Sequence, residues 1–285
     1  MNFKLTPKTG LVSAIVLLVF SLTLSLSLAF CDPKSGDGHK DGSESQTKWQ
    51  DDGTMTTSLD FTYKTDVSAY ADAMNTTDER YLLLANKTFV IGEDHVPADI
   101  TPLDTLYTLG GKEISLSGYA ALAAEALIKE MRACGFDDVY ITSAYRSYDY
   151  QMSLYNTYFN REKAEHPDWS DERVKEQVLT YSAYPGTSEH QTGLCIDLFV
   201  SPAMRELENY GREGQYPDDV GFAETEEYKW LLKNAHKFGF ILRYPENKAD
   251  ITGYSYESWH YRFVGIDAAT DMYRAGITLE EYLGK

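Results

Sequence analysis

The sequence predicts an α+β fold over residues 61–285, built as one compact domain. Three features predict it. Segments of helical periodicity end at glycines, short β-prone runs lie between them, and the two do not alternate in the rhythm of a doubly wound parallel sheet. Hydrophobic residues make up 43% of the 285-residue chain and aromatic residues 13%, with 22 tyrosines, which is enough for a packed core.

The elements follow in order. Residues 81–92 form an apolar run that reads as extended chain. Residues 117–134 read as a helix, because Tyr119, Leu122, Leu127, Met131 and Cys134 recur at helical spacing and Gly135 supplies a stop. Residues 139–142 are a short β-prone run, and residues 148–164 a second helix. Residues 201–222 are polar, carry Gly211, Gly214 and Pro217, and read as a surface loop. Residues 225–238 read as a helix with Tyr228, Leu231, Leu232 and Ala235 on one face and Gly239 at its end. Residues 240–243 and 259–264 read as strands, and Thr278 with Glu281 has the spacing of a capping box for a last short helix. There is no internal repeat.

The first 60 residues are of another kind. Residues 1–9 are a basic stub with Lys4 and Lys8, expected on the cytoplasmic side. Residues 10–30 are uncharged, long enough to cross a bilayer and longer than a usual signal-peptide core. Cys31 follows Leu28, Ala29 and Phe30 in a pattern that resembles a bacterial lipoprotein cleavage site, although Phe30 stands where a small residue is normal. Membrane anchor, lipoprotein and cleaved signal all place the main domain on the extracytoplasmic face of a bacterial membrane. Residues 31–60 are rich in Gly, Ser, Asp, Lys and Thr and read as a flexible tether, which includes His39.

The charge balance is 26 basic to 44 acidic residues, a net −18. That argues against nucleic acid as a partner, since phosphate binding needs clustered Lys and Arg. Three cysteines, Cys31, Cys134 and Cys195, are too few for a disulfide framework and leave open one bridge between Cys134 and Cys195.

Two stretches carry the chemistry. In residues 194–200 every residue is apolar except Asp197, so a strand of this composition is buried on both faces and its carboxylate needs a compensating partner. His190 lies just before it. In residues 256–264, Glu257 and His260 flank Trp259, and a turn entering the strand would let both face one pocket. Taken singly, His190 reads as a packed histidine, Asp197 as a structural acid and Glu257 as a solvated one. Together, two histidines and one carboxylate make three ligands for a tetrahedral zinc ion, leaving a fourth position for water whose pKa falls to about 7. Glu257 is then a base close to the metal without being a ligand. His95, His166 and His236 have no comparable acidic or glycine context. A third stretch, residues 142–151, sets Arg146 in a loop between a predicted strand and a helix, where it can grip a carboxylate or an oxyanion; alone it reads as a surface arginine in a turn.

Ser188-x-His190-x-x-Gly193-x-x-x-Asp197, followed by Glu257-x-Trp259-His260, resembles the VanY-type D-alanyl-D-alanine carboxypeptidases, zinc peptidases of bacterial cell-wall metabolism. The LdcB-type L,D-carboxypeptidases share these motifs, and Ala144-Tyr145-Arg146-Ser147 matches a third motif of the family in the same order. The resemblance spans residues 82–265. It implies one zinc ion on His190, Asp197 and His260, Glu257 as general base and Arg146 near the scissile carbonyl, with Gln151 and Ser188 lining the substrate cleft. It also implies a compact domain with a central antiparallel sheet flanked by helices, a fold that the signalling domain of hedgehog proteins resembles too. Cys195 departs from the family, which commonly has Ala there.

The expected function is removal of terminal D-Ala from peptidoglycan stem peptides by a monomeric catalytic domain, from pentapeptides (D,D-) or tetrapeptides (L,D-). Two rival readings exist. One is a cysteine hydrolase using Cys195, disfavoured because Cys195 lies inside an apolar run. The other is a non-catalytic zinc domain binding wall peptides or a protein partner, disfavoured by Glu257.

Overall fold

The computed structural model describes residues 62–200 and 221–285. The membrane segment, the tether and residues 201–220 of the expected surface loop lie outside the described residues. Among the described residues no helix is long and apolar enough to cross a membrane.

Among the described residues, six strands and five longer helices build the domain. In chain order they are β1 (Ile100–Pro102), β2 (Ser115–Ser117), α1 (Gly118–Ala133), β3 (Val139–Ser143), α2 (Tyr148–Glu165), α3 (Asp171–Tyr181), β4 (Cys195–Val200), α4 (Glu226–Asn234), β5 (Phe240–Leu242), β6 (His260–Phe263) and α5 (Ile266–Ala275). β3, β4, β6 and β5 form, in that order, a four-stranded sheet whose pairs are all antiparallel, and β1 pairs with β2 in a separate antiparallel ribbon. The expected α+β architecture with a central antiparallel sheet is thus present.

The main core lies between this sheet and α1. Ala120, Ala123, Ala124, Leu127, Ile128 and Met131 of α1 are buried together with Ile141, Ile196 and Leu198 of the sheet. The inward face of α1 is therefore the alanine face, where small side chains let the helix approach the sheet closely. Tyr119 and Leu122, expected on that face, are exposed. In α4 the inward residues are Tyr228, Trp230 and Leu231, while Leu232 is on the outside. A 3-10 turn, Ala235–Phe238, prolongs α4 and ends at Gly239 with φ +80°. A Cβ there would lie 2.7 Å from the Phe263 ring, so the turn into β5 requires glycine.

Residues 81–92 are not a strand. They follow a 3-10 turn, Glu79–Leu82, and run as irregular chain with Tyr81 and Ala85 buried. Four side-chain hydrogen bonds divert the backbone from a ladder. The Asn86 carboxamide oxygen accepts from the amides of Thr88 and Phe89, and the Arg262 guanidinium donates to the carbonyls of Tyr81 and Leu83. Helices α3 and α5 have no counterpart in the sequence-based expectations. α3 is capped by Ser170 and buries Val174 and Val178 against Tyr155. The capping box of Thr278 and Glu281 is present and starts a one-turn helix, Leu279–Tyr282.

Candidate active site

β4 is buried along its whole length, as its composition predicts. Side chains alternate along a strand, so Ile196 and Leu198 enter the core while Cys195 and Asp197 share the opposite face. In the β4–β6 pairing Asp197 stands directly opposite His260. Glu257 precedes β6 in a turn, closed by the His260 amide on the Glu257 carbonyl at 3.4 Å. That turn brings Glu257 and His260 to one pocket, with Glu257 Oε2 3.5 Å from His260 Nδ1.

His190 comes from a 3-10 turn, Glu189–Thr192, that ends at Gly193 with φ +67°. A side chain at Gly193 would press on Pro97, Ile100 and the Ser117 amide at 3.1–3.3 Å. His190 Nδ1 lies 2.6 Å from the carbonyl of Ala144, to which it donates, and its Nε2 then faces Asp197 Oδ2 at 3.3 Å. In the same way His260 Nε2 donates to Glu189 Oε2 at 3.2 Å, and its Nδ1 faces Asp197 Oδ1 at 3.1 Å. Each outer nitrogen is held, and each inner nitrogen presents a lone pair to the same point.

That point fits a metal ion. Asp197 Oδ1 is buried and has no hydrogen-bond donor. Burial and Arg146 disfavour a charged His190 ring, yet Asp197 and Cys195 outweigh them and raise its pKa to about 9. The pocket thus favours positive charge at these nitrogens, and two nitrogens with one carboxylate are the donor set of an open zinc site. Cys195 sits behind them. Its sulfur and one ring nitrogen each of His190 and His260 lie within 4.8 Å of one another. Burial raises its thiol, but the two histidines bring it below the usual thiol value. The apolar run around Cys195 therefore does not isolate it, because the alternation of β4 turns it to the polar side. No disulfide joins Cys134 to Cys195.

The other expected residues surround a cavity of about 410 Å³, lined among others by Ser188, His190, Asp197, Glu257, Trp259, His260, Arg146 and Lys112. Burial pushes the Glu257 carboxyl up to about 7, with His260 opposing the rise and Asp197 adding to it. Arg146, in the loop between β3 and α2, donates from Nε to Ser143 at 3.1 Å, from Nη1 to Gln151 at 3.0 Å and from Nη2 to Asp197 Oδ2 at 3.2 Å. Gln151 is the residue placed otherwise than expected. It is buried behind Arg146, where its oxygen takes the guanidinium and its amide donates to the Ala183 carbonyl at 2.8 Å, so it holds Arg146 instead of lining the cavity.

Sequence reasoning missed the layer below. Glu189 bonds not only His260 but also Arg243 Nε at 2.8 Å and Arg262 Nη1. Arg243 in turn forms a two-pronged pair with Glu280, through Nη1 at 2.9 Å and Nη2 at 2.6 Å, and Asn86 donates to Glu280 as well. Both arginines are fully buried. Burial alone would raise Glu189, but the two arginines hold its carboxyl well below the usual carboxylate range. The signal was available: Arg243 and Arg262 stand in aromatic and apolar runs, the same anomaly that pointed to Asp197.

Residues 113–266 match the model of the VanY family, described as D-alanyl-D-alanine carboxypeptidase. The chain belongs to the VanY D-alanyl-D-alanine carboxypeptidase family. It is 32% identical over 286 residues to the putative carboxypeptidase YodJ of Bacillus subtilis, covering 93% of this chain and 96% of that one. A D-alanyl-D-alanine carboxypeptidase of Enterococcus faecalis is 39% identical over 149 residues, 52% of this chain and 48% of its own. Among solved structures, the LdcB LD-carboxypeptidase superposes with a TM-score of 0.57 at 31% identity, over 74% of this chain and 89% of its own. A vancomycin-resistance D,D-pentapeptidase VanY, solved in complex with Zn(II), superposes with a TM-score of 0.55 at 32% identity, over 72% and 99%. This VanY family member is accordingly a cell-wall carboxypeptidase.

Proposed function

We propose that the chain is a zinc-dependent carboxypeptidase that removes the terminal D-Ala of peptidoglycan stem peptides, with His190 Nε2, Asp197 and His260 Nδ1 as zinc ligands. The observation that carries this reading is that two imidazole nitrogens face the buried Asp197 carboxylate, one of whose oxygens has no hydrogen-bond donor, in a cavity that Glu257 also lines. Zinc, when bound, supplies Lewis acidity and makes water a nucleophile near neutral pH.

The protein's own residues do the rest. Glu257, with a carboxyl poised near neutrality, takes the proton of the attacking water and gives it to the amine of the departing D-Ala. Arg146 is fixed by Ser143, Gln151 and Asp197 with its fork at the cavity wall, where it stabilises the oxygen that gains charge at the scissile carbonyl. Lys112 at the cavity rim is a second cation for the free carboxylate of the stem peptide. Glu189 and the Ala144 carbonyl keep both imidazoles in the tautomer and orientation that a ligand needs.

The test is digestion of purified muropeptides by the protein, with and without chelator, followed by mass analysis. The reading predicts chelator-sensitive loss of one D-Ala. Intact peptides in the presence of bound zinc would overturn it. Pentapeptide and tetrapeptide, assayed side by side, assign D,D- or L,D-specificity.

We propose an extracytoplasmic working location on the strength of the first 31 residues. Lys4, Lys8 and the uncharged residues 10–30 support export, with the domain kept at the outer face by that segment or by a lipid on Cys31. Labelling of intact cells with a membrane-impermeant reagent tests this, and a chain protected until lysis would contradict it.

A further inference from the structure

β4 presents two side chains to the paired histidines, not one. Asp197 and Cys195 are two residues apart on the same face, and both are buried. Asp197 is divided between partners, since its Oδ2 lies 3.2 Å from Arg146 Nη2 and 3.3 Å from His190 Nε2. Among the described residues, no lysine or arginine competes for Cys195. Its sulfur and a ring nitrogen of each histidine are mutually within 4.8 Å. Zinc–sulfur and zinc–nitrogen bonds of about 2.3 and 2.0–2.1 Å let one ion reach all three after a small contraction. Asp197 Oδ1, buried without a hydrogen-bond donor, lies 3.1 Å from His260 Nδ1.

We propose that the Cys195 thiolate is itself a ligand of the metal, bound together with His190 and His260. The proposal rests on the metallopeptidase reading above. Ligation forms one sulfur–metal bond and releases the thiol proton to solvent. If Asp197 were a ligand as well, the donors would number four, the closed pattern of structural sites, and an open position for water would need one of them to stay off the metal. Arg146 gives the Asp197 carboxylate a second resting place. A soft sulfur donor also tilts the site from magnesium, calcium and manganese towards zinc and cobalt. Cys195 is fully buried and absent from the cavity wall, so this role is separate from nucleophilic attack.

Cobalt(II) is the probe, and the full chain carrying Cys31→Ser and Cys134→Ser leaves Cys195 as the last of three thiols. The expected result is one bound cobalt with a near-ultraviolet thiolate-to-metal charge-transfer band. Adding Cys195→Ala should abolish the band and weaken metal retention against a competing chelator by roughly 10–100-fold, the range typical for lost support of a metal site. One bound cobalt with visible ligand-field bands but no charge-transfer band would overturn the proposal and leave the metallopeptidase reading standing. Failure to bind cobalt or zinc at all would overturn both. The double-serine chain decides the matter even where the alanine variant fails to fold.

Discussion

Asp197 and His260 face each other across the β4–β6 pairing, with Oδ1 3.1 Å from Nδ1. Strand register therefore sets the spacing of two proposed ligands, and a loop sets only the third, His190. A site built on paired strands holds its geometry better than one built on loops.

Glu257→Gln separates binding from chemistry. The amide keeps the shape but takes no proton, so kcat should fall by about 10²–10⁴-fold. Metal content should stay at the wild-type level, because Glu257 is not a proposed ligand. D-Ala release and metal analysis on the same sample check both, and a variant as fast as wild type with its metal intact would sink the mechanism.

The acid limb of kcat/KM should lie below neutrality. Glu257 must be ionised to act as a base, and burial holds its carboxyl at about 7 in the metal-free protein. A bound cation draws that value down. A pH profile with its acid limb well above neutrality would contradict the assignment. The linked stability effect has a defined sign. A carboxyl whose folded pKa is raised contributes stability below its unfolded value, near 4.3, that is lost as pH rises towards about 7.

Glu189→Ala should cost about 3–5 kcal/mol, because it leaves Arg262 a buried charge without a carboxylate and takes one of the two carboxylates from Arg243. It also frees His260 Nε2, so metal retention should drop as well. Glu189 is depressed, so the sign is opposite to that of Glu257. Its stabilisation is present above the unfolded value and disappears as pH falls below about 4.3. Denaturant titrations at neutral and acid pH measure both effects.

Arg146→Lys should lower kcat/KM by about 10²–10³-fold with metal content unchanged. A lysine keeps the charge but lacks the fork that reaches Ser143, Gln151 and Asp197 together. Near-wild-type kinetics would remove Arg146 from the reaction.

The sheet and its chemistry were legible because polar residues interrupt apolar runs. Asp197 alone in residues 194–200 and His260 in residues 259–264 stand out in that way, and their pairing follows from two neighbouring strands. The inward face of α1 was misread because alanine carries little hydrophobic signal, while Tyr119 and Leu122 carry much and remain outside. The extended reading of residues 81–92 failed because Arg262, far along the chain, binds the carbonyls of Tyr81 and Leu83. Gln151 was read as facing substrate, yet a carboxamide that holds an arginine leaves the same trace in one sequence. Glu189 was passed over because an acid beside a histidine in a turn is usually solvated, and only the fold brings two arginines onto it.

Glu280, in the one-turn helix Leu279–Tyr282, closes the chain of ion pairs that runs through Arg243 and Glu189 to His260. Without this glutamate Arg243 would lose one of its two counter-charges, and the carboxylate that holds the His260 ring would lose its settled partner. One short turn thus carries, through two buried ion pairs, the orientation of an imidazole in the cavity.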